Sequence, residues 1–537
     1  MLWLFAQLVD PALQPGPVRL PTSIPIERPQ AQTIPNSLQL SPELKKSQLI
    51  SPQLLQKQIE RCQQNLDQEP AQLIKDCASR LTAQLVAKGY INSRVIVDPL
   101  SKSPRLELVE GRLVELRVQS TDANLAKRTR RLLAPLQRAA LQLPKLEAAL
   151  QRLRQRPDVA AVRGNLGRLG SDPAKAVLIL SVEPAAQPIK GELSLRNDGN
   201  SGTGEARALL TLSKSSLVQS NDQLLVYGEI DSDQDLEVGY LLGSISYTAN
   251  INDQLNITGA FGSSRRNLVE LSGLYHDLSY QQLQGYGQLN WTFVDELAQQ
   301  WFAFAGLSLN RNDVFLNGDA VPLIIGGGES GWLRTGFVKV GVGFRGSSQS
   351  LAWAGQIYGL QGIPAFSTHS QQRELAEVGV NPGNARALGG SLLSQWTPWS
   401  QLTLTGRAAG QLSLNSLTSD MGFTLGSDSG LRGLPGQLVS GDNGYLGSLE
   451  LAYNLWSNAK QRLQLVPFIG AGGVQSYRNS LSFSDTAGAG GVLLRWLHTD
   501  RWSVEIGWVN PFLTENQPLW NDWILSKGLY SQLKLRF

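Results

Sequence analysis

The stretch V-K-V-G-V-G-F-R (338–345) puts Val338, Val340, Val342 and Phe344 on one side of an extended chain, with Lys339, Gly341, Gly343 and Arg345 on the other. A period of two is the signature of a strand whose faces meet different surroundings. Leu449, Leu451 and Tyr453 alternate in the same way with Ser448, Glu450 and Ala452, and Val504, Ile506 and Trp508 with Ser503, Glu505 and Gly507. In a soluble sandwich the apolar set faces a core; in a membrane barrel it faces lipid. A soluble array needs a second apolar layer, and Lys, Arg, Glu and Gly do not line one. About 16 such segments fall in roughly 350 residues, an even number that suits a single-chain barrel. The expected fold from Lys190 to Phe537 is therefore a 16-stranded antiparallel transmembrane β-barrel.

Composition agrees. The chain has 537 residues, enough for two to four domains. Its 48 basic and 44 acidic residues leave a net charge of +4, which does not mark a nucleic-acid binder. Charged residues make up 17%, below the typical ~25%, while 53 Gly and 13 Trp run high. No apolar run of about 18 residues occurs, so a bundle of membrane helices is excluded. Alternation dilutes the apolar residues of a barrel, and that option survives.

Ahead of the barrel the pattern changes. Residues 1–10 are too short and lack the basic flank of an export signal, so any signal is expected upstream or already removed. Prolines then recur through Pro52, and residues 1–52 read as an extended tether. Leu55, Ile59 and Cys62 share one helical face; Ile74, Cys77, Leu81 and Leu85 share a second, stopped at Gly89-Tyr90 by a left-handed cap. Strands follow at 91–97 and 105–109. Residues 112–185 repeat the plan, giving two β-α-α-β-β modules, 53–111 and 112–185. Lys127, Arg128, Arg130, Arg131 and Arg138 in the second read as a solvated basic face.

Inside the barrel region one loop stands out, D-S-G-L-R-G-L-P-G-Q-L-V-S-G-D-N-G-Y (428–445). Gly430, Gly433 and Gly436 let it fold back on itself, and Arg432 is its only cation. A guanidinium at such a tip can grip a carboxylate or carbonyl inside a cavity. No catalytic constellation appears. His276, His369 and His498 lack ligand spacing. I-I-G-G-G-E-S-G (324–331) lacks the G-K-[ST] ending of a phosphate loop and reads as a turn, so no cofactor, metal or nucleotide is expected. At the end, S-Q-L-K-L-R-F alternates again and closes on Phe537; its strand must pair with the first one near Glu192–Asn197.

The segments C-A-S-R-L-T-A-Q-L-V-A-K-G-Y-I-N-S-R-V-I-V (77–97) and L-E-L-V-E-G-R-L-V-E-L-R-V (106–118) resemble the first polypeptide-transport-associated (POTRA) domain of the haemolysin-activator family. Residues 128–159 resemble the second, and S-L-R-N-D-G-N-S-G-T-G (194–204) resembles that family's entry into its barrel. The family comprises outer-membrane transporters of two-partner secretion, in the Omp85 superfamily of barrel assembly factors. The resemblance covers nearly everything from about residue 50 onward.

It implies that POTRA 1 (53–111) and POTRA 2 (112–185) lie in the periplasm and capture the amino-terminal region of a large unfolded adhesin- or haemolysin-like client. An edge strand beside a helix offers a groove for such a chain. Outer-membrane lipid surrounds the barrel, and Phe537 resembles the signal read by the barrel assembly machinery. The loop between the eleventh and twelfth strands enters the lumen and gates the pore, its Leu431-Arg432-Gly433 tip, after Gly430, pairing with an acid on the wall. Here the sequence departs from the family: Gly470 stands where that acid belongs, and Gly507 occupies a second position that is often acidic. Glu505 and Glu450 have inward parity, so a shifted carboxylate or backbone carbonyls remain as partners. Cys62 and Cys77 would meet an oxidising periplasm, where a bridge is expected in place of two buried thiols. Such a bridge would stabilise the module by around 3 kcal/mol in the chain-entropy model. Two rival functions stand beside export: an Omp85-type insertase of other barrels, and a passive porin.

Overall fold

The computed structural model describes residues 39–537 except 48, 64–69, 99–104, 155, 157, 171, 187–188, 220–221, 253, 272–277, 297, 479–480, 500 and 515–519. Residues 1–38 of the expected tether, and His276, lie outside the described residues. The chain divides into two compact units that meet in sequence at Gln187 and Pro188.

The first unit holds both modules. Module one runs β1 (Gln39–Leu40), α1 (Pro42–Lys46), α2 (Pro52–Gln63), α3 (Pro70–Ala87), β2 (Arg94–Val97) and β3 (Arg105–Val109). Its sheet order is β1-β3-β2, with β1 parallel to β3. The tether boundary at residue 52 is therefore corrected: 39–47 and 49–52 belong to the folded module, and Leu44 and Ile50 are buried in its core. The physical reason is proline position. Pro42 opens α1, capped by the Ser41 hydroxyl accepting the Leu44 N–H at 3.1 Å, and at that position no helical hydrogen bond is lost.

Leu55, Cys62, Ile74, Cys77, Leu81 and Leu85 meet in that core, and a disulfide joins Cys62 to Cys77 with Cα atoms 5.8 Å apart. Gly89 adopts φ +87°, and the Tyr90 N–H donates to Leu85 O at 2.9 Å, closing α3. Gly89 O also accepts the Leu143 N–H at 2.8 Å, so this turn joins module one to module two.

Module two runs β4 (Arg112–Gln119), α4 (Ala123–Leu133), α5 (Leu143–Arg154), β5 (Val159–Leu169) and β6 (Asp172–Pro184), with sheet order β4-β6-β5. Lys127, Arg130, Arg131 and Arg138 are exposed, while Arg128 pairs with Asp158 at 3.0 Å.

The second unit is a closed antiparallel barrel. Its first seven strands are β7 (Lys190–Arg196), β8 (Ala206–Ser215), β9 (Gln223–Ser232), β10 (Val238–Asn250), β11 (Leu255–Asn267), β12 (Leu278–Asp295) and β13 (Gln299–Leu316). A two-residue hairpin strand, β14 (Asp319–Ala320), precedes β15 (Trp332–Ser347) and β16 (Leu351–Gly362). Helix α6 (His369–Glu377) sits in the next loop, before β17 (Arg386–Trp399) and β18 (Leu402–Ser413). Ribbon strands β19 (Phe423–Leu425) and β20 (Val439–Gly441) lead to β21 (Asn443–Ser457), β22 (Gln461–Arg478), β23 (Leu481–His498), β24 (Trp502–Thr514) and β25 (Leu529–Arg536). Without β14, β19 and β20, sixteen strands form the wall.

Alternation sets the two faces. Ile506 and Trp508 are 51% and 63% exposed, whereas Glu505 between their neighbours is 6% exposed and points into the lumen. The rim that carries Lys190 and Phe537 has short turns such as 348–350 and 400–401; the other carries long loops, including 363–385 and 414–442. Residues 324–331 form turns on the long-loop rim, with Gly326, Gly328 and Gly331 left-handed.

The barrel closes where β25 pairs with β7, from Gln532 opposite Arg196 to Arg536 opposite Glu192. Phe537 adds one more pair through both its backbone bonds to Gly191 (2.7 and 3.0 Å). Its ring lies over Gly191, where any Cβ would overlap it.

Candidate functional site

The loop between the eleventh and twelfth wall strands folds into the lumen. Its span is 414–442: the expected 428–445 is corrected at both ends, since Asn443 already belongs to β21 and the ribbon β19–β20 forms the stem. Leu425, Leu431 and Leu434 are fully buried, against Leu446, Phe468, Ala489, Leu493 and Val509 of the wall. A lumen lined by polar side chains thus contains a dry patch, and the loop is seated on it. Burying each leucine contributes about 1.5–3 kcal/mol.

Gly430 and Gly433 lie at φ +111° and +86°, which bends the tip around Arg432. A Cβ on Gly433 would overlap Val509 Cγ1, so the close seat on β24 also requires glycine there.

Arg432 Nη1 donates to Glu505 on β24, and its Nη2 lies 3.2 Å from Glu450 Oε2 on β21. The guanidinium also sits 5.6 Å from the Tyr530 ring centroid. A second cation completes the site: Arg495 on β23 reaches Glu450 at 2.8 Å and Glu505 at 2.6 Å. Two guanidiniums and two carboxylates close a neutral ring, each carboxylate bridging both arginines. Away from bulk water such charge-assisted pairs are short and directional.

Gly470 has no room for a side chain. A Cβ there would stand 3.1 Å from Leu431 Cδ2 and 2.9 Å from Ser448 Cβ. The leucine of the tip occupies the space that a side chain there would need, and the carboxylates that meet Arg432 are Glu505 and Glu450. Only about 20 Å³ of cavity remains beside Gly470, Arg407 and Arg432, room for about one water.

A second cluster holds the other flank of the tip. Arg207 on β8, 1% exposed, reaches Asp428 of the loop at 2.8 Å and Glu229 on β9 at 2.6 Å. Arg196 on β7 pairs with Asp198 and donates to Ser427 Oγ at 3.3 Å. The Gly436 N–H donates to Asp198 O at 3.1 Å and to Gly199 O at 3.0 Å. Asn200 donates to Asp231 (2.7 Å) and Glu229 (3.1 Å), and Tyr227 to Glu229 at 2.6 Å.

The structure therefore brings Arg432, Glu505 and Glu450 together. Sequence reading missed Arg495, Arg207 and the role of Asp428. Strand register gives them their places, Arg495 directly opposite Glu505 and Arg207 directly opposite Arg196, and the sequence does not show it. His369 opens α6, and His498 ends β23 with its ring 5.8 Å from that of Trp496.

A family model described as haemolysin secretion/activation protein ShlB/FhaC/HecB matches residues 175–493. Among solved structures, CdiB from Escherichia coli has a TM-score of 0.68 at 17% identity, over 93% of this chain and 90% of that one. CdiB from Acinetobacter baumannii gives 0.62 at 17% identity, over 95% and 91%. BamA from Haemophilus ducreyi lacking POTRA domains 1–3 gives 0.50 at 11%, over 88% and 94%. No curated protein matches the sequence.

Proposed function

From the premise that this chain belongs to the haemolysin secretion/activation ShlB/FhaC/HecB family, non-enzymatic two-partner secretion transporters of the bacterial outer membrane, we propose how it works. The barrel exports one large secreted protein, adhesin- or haemolysin-like, from periplasm to cell surface. Modules 53–111 and 112–185 capture the unfolded amino-terminal region of that client. Loop 414–442 closes the bore at rest and yields as the client threads through. Folding of the client outside supplies direction, without nucleotide hydrolysis.

The observation that carries this reading is the charged ring around Arg432. A loop pinned to the wall by ion pairs and buried leucines fills lumen that a steadily open pore leaves to water. Orientation supports it too. Outer-membrane barrels keep short turns on the periplasmic side, and the first wall strand, next in sequence after module two, begins at Lys190 on the short-turn rim.

The test is capture and export of the client. Protein lacking residues 53–185 should fail to co-purify it; retained binding would remove the receptor role. Depletion of the full chain should abolish one secreted protein, whereas a general loss of outer-membrane barrels would assign the chain to assembly instead.

A further inference from the structure

We propose that loop 414–442 is a two-point strap that holds the barrel's seam shut, with Arg207 and Asp428 as the anchor beyond the seam. This is a property of the resting barrel and stands whether or not the loop gates a client.

The seam is the least paired place in the wall. With Phe537 opposite Gly191 the seam carries six residue pairs, where the flanking steps β7–β8 and β24–β25 carry seven each and β12–β13 seventeen. At its long-loop end backbone pairing stops, and one side chain takes over: Asn197 donates to Leu529 O and accepts the Ser531 N–H, both at 2.8 Å.

Both anchors lie on one row of cross-strand partners that passes through this seam. Arg495, Glu505, Gln532, Arg196, Arg207 and Asp231 are successive neighbours on β23, β24, β25, β7, β8 and β9. Arg432 binds the row at Glu505, and Asp428, four residues earlier, binds it at Arg207. From β24 to β8 is three strand steps, about 14 Å, and the weak step from β25 to β7 lies in the middle. Opening the seam would pull the anchors apart, and a short loop segment gripped at both ends resists that.

The anchors differ in what else holds them. On the β21–β24 side buried leucines pack the loop against the wall beside the Arg432 ion pairs. Around Asp428 the grip is polar: Arg207, Arg196 through Ser427, and the backbone of the β7–β8 loop through Gly436. The geometry therefore makes Asp428 the end of the strap that is held by polar contacts alone.

Amide hydrogen exchange on the full chain in lipid nanodiscs tests this. Asp428→Asn should raise exchange at 192–196 and 532–536 at least tenfold, leave β12–β13 unchanged, and be rescued by Asp428→Glu. Gly436→Ala is the second variant, since its added methyl would overlap Arg207 Nη1 without removing any charge; it should loosen the same amides. Faster exchange at 426–436 with an unchanged seam in either variant would overturn the strap.

Discussion

The two anchors of the lumenal loop are opposite in polarity. At Arg432 the loop brings the cation and the wall brings Glu450 and Glu505, with Arg495 making two positive against two negative charges. At Asp428 the loop brings the anion to Arg207, which Glu229 and Asp231 already flank at 2.6 and 3.7 Å. The direct pairs of the first are balanced, with Arg407 lining the same cavity, and losing Arg432 removes one of the two cations that Glu450 and Glu505 bond directly. The second is rich in acid, and neutralising Asp428 relieves repulsion while it breaks a contact. Ion pairs of similar length can therefore differ in energetic weight, and the surrounding charge count decides which matters more.

Arg432→Ala should show the largest effect. It leaves two carboxylates sharing Arg495 and should weaken loop attachment by about 3–5 kcal/mol. Proteolysis of the loop in the detergent-solubilised barrel should accelerate by orders of magnitude; an unchanged rate would break the comparison at its stronger end. Next, Cys62→Ser with Cys77→Ser should lower the stability of module one by about 2–4 kcal/mol, read by urea titration of the module's exchange protection. Loop proteolysis should not change, which shows that the lock effects are local.

Asp428→Asn should weaken attachment less, by about 1–2 kcal/mol, because the charge-assisted bond is lost where acid is in excess. If it equals Arg432→Ala in loop proteolysis, the difference between the anchors is false.

The smallest effect lies in the loops of the long-loop rim, at a carboxylate whose neighbours are a tryptophan and other acids. Glu270, in the loop after β11, accepts the Trp523 N–H at 2.7 Å. Burial pushes its carboxyl up to about 7, opposed by the Trp523 hydrogen bond, while Asp233, Glu205 and Asp522 add repulsion. Its folded value exceeds the ordinary unfolded value of about 4.3, so its stabilising share is complete below that pH. That share is lost as pH rises through about 7. Trp523 emission should shift to the red between pH 6 and 8 and stop doing so in Glu270→Gln, whereas the paired Arg432 ring should hold over that range.

Most of this architecture was legible. The alternation at 338–345 and 503–508 stated the barrel, because the lumen and the lipid select different residues at every second position. Arg432 entered by its glycine-bent context, and Glu505 and Glu450 by parity. What stayed hidden depends on register and volume. Arg495 and Arg207 take their roles from partners on the next strand, which turn lengths at 499–501 and 197–205 decide. Gly470 looked like a lost acid until Leu431 was seen to fill its place. Pro42 looked like part of a tether because proline in an extended chain and proline opening a helix read alike.

The central claim, a bore closed by a loop anchored on its own wall, is tested most directly by conductance in planar bilayers. The intact chain should pass only small, intermittent currents, and deletion of residues 426–438 should give large, steady ones. Large steady currents in the intact chain, unaltered by the deletion, would contradict it.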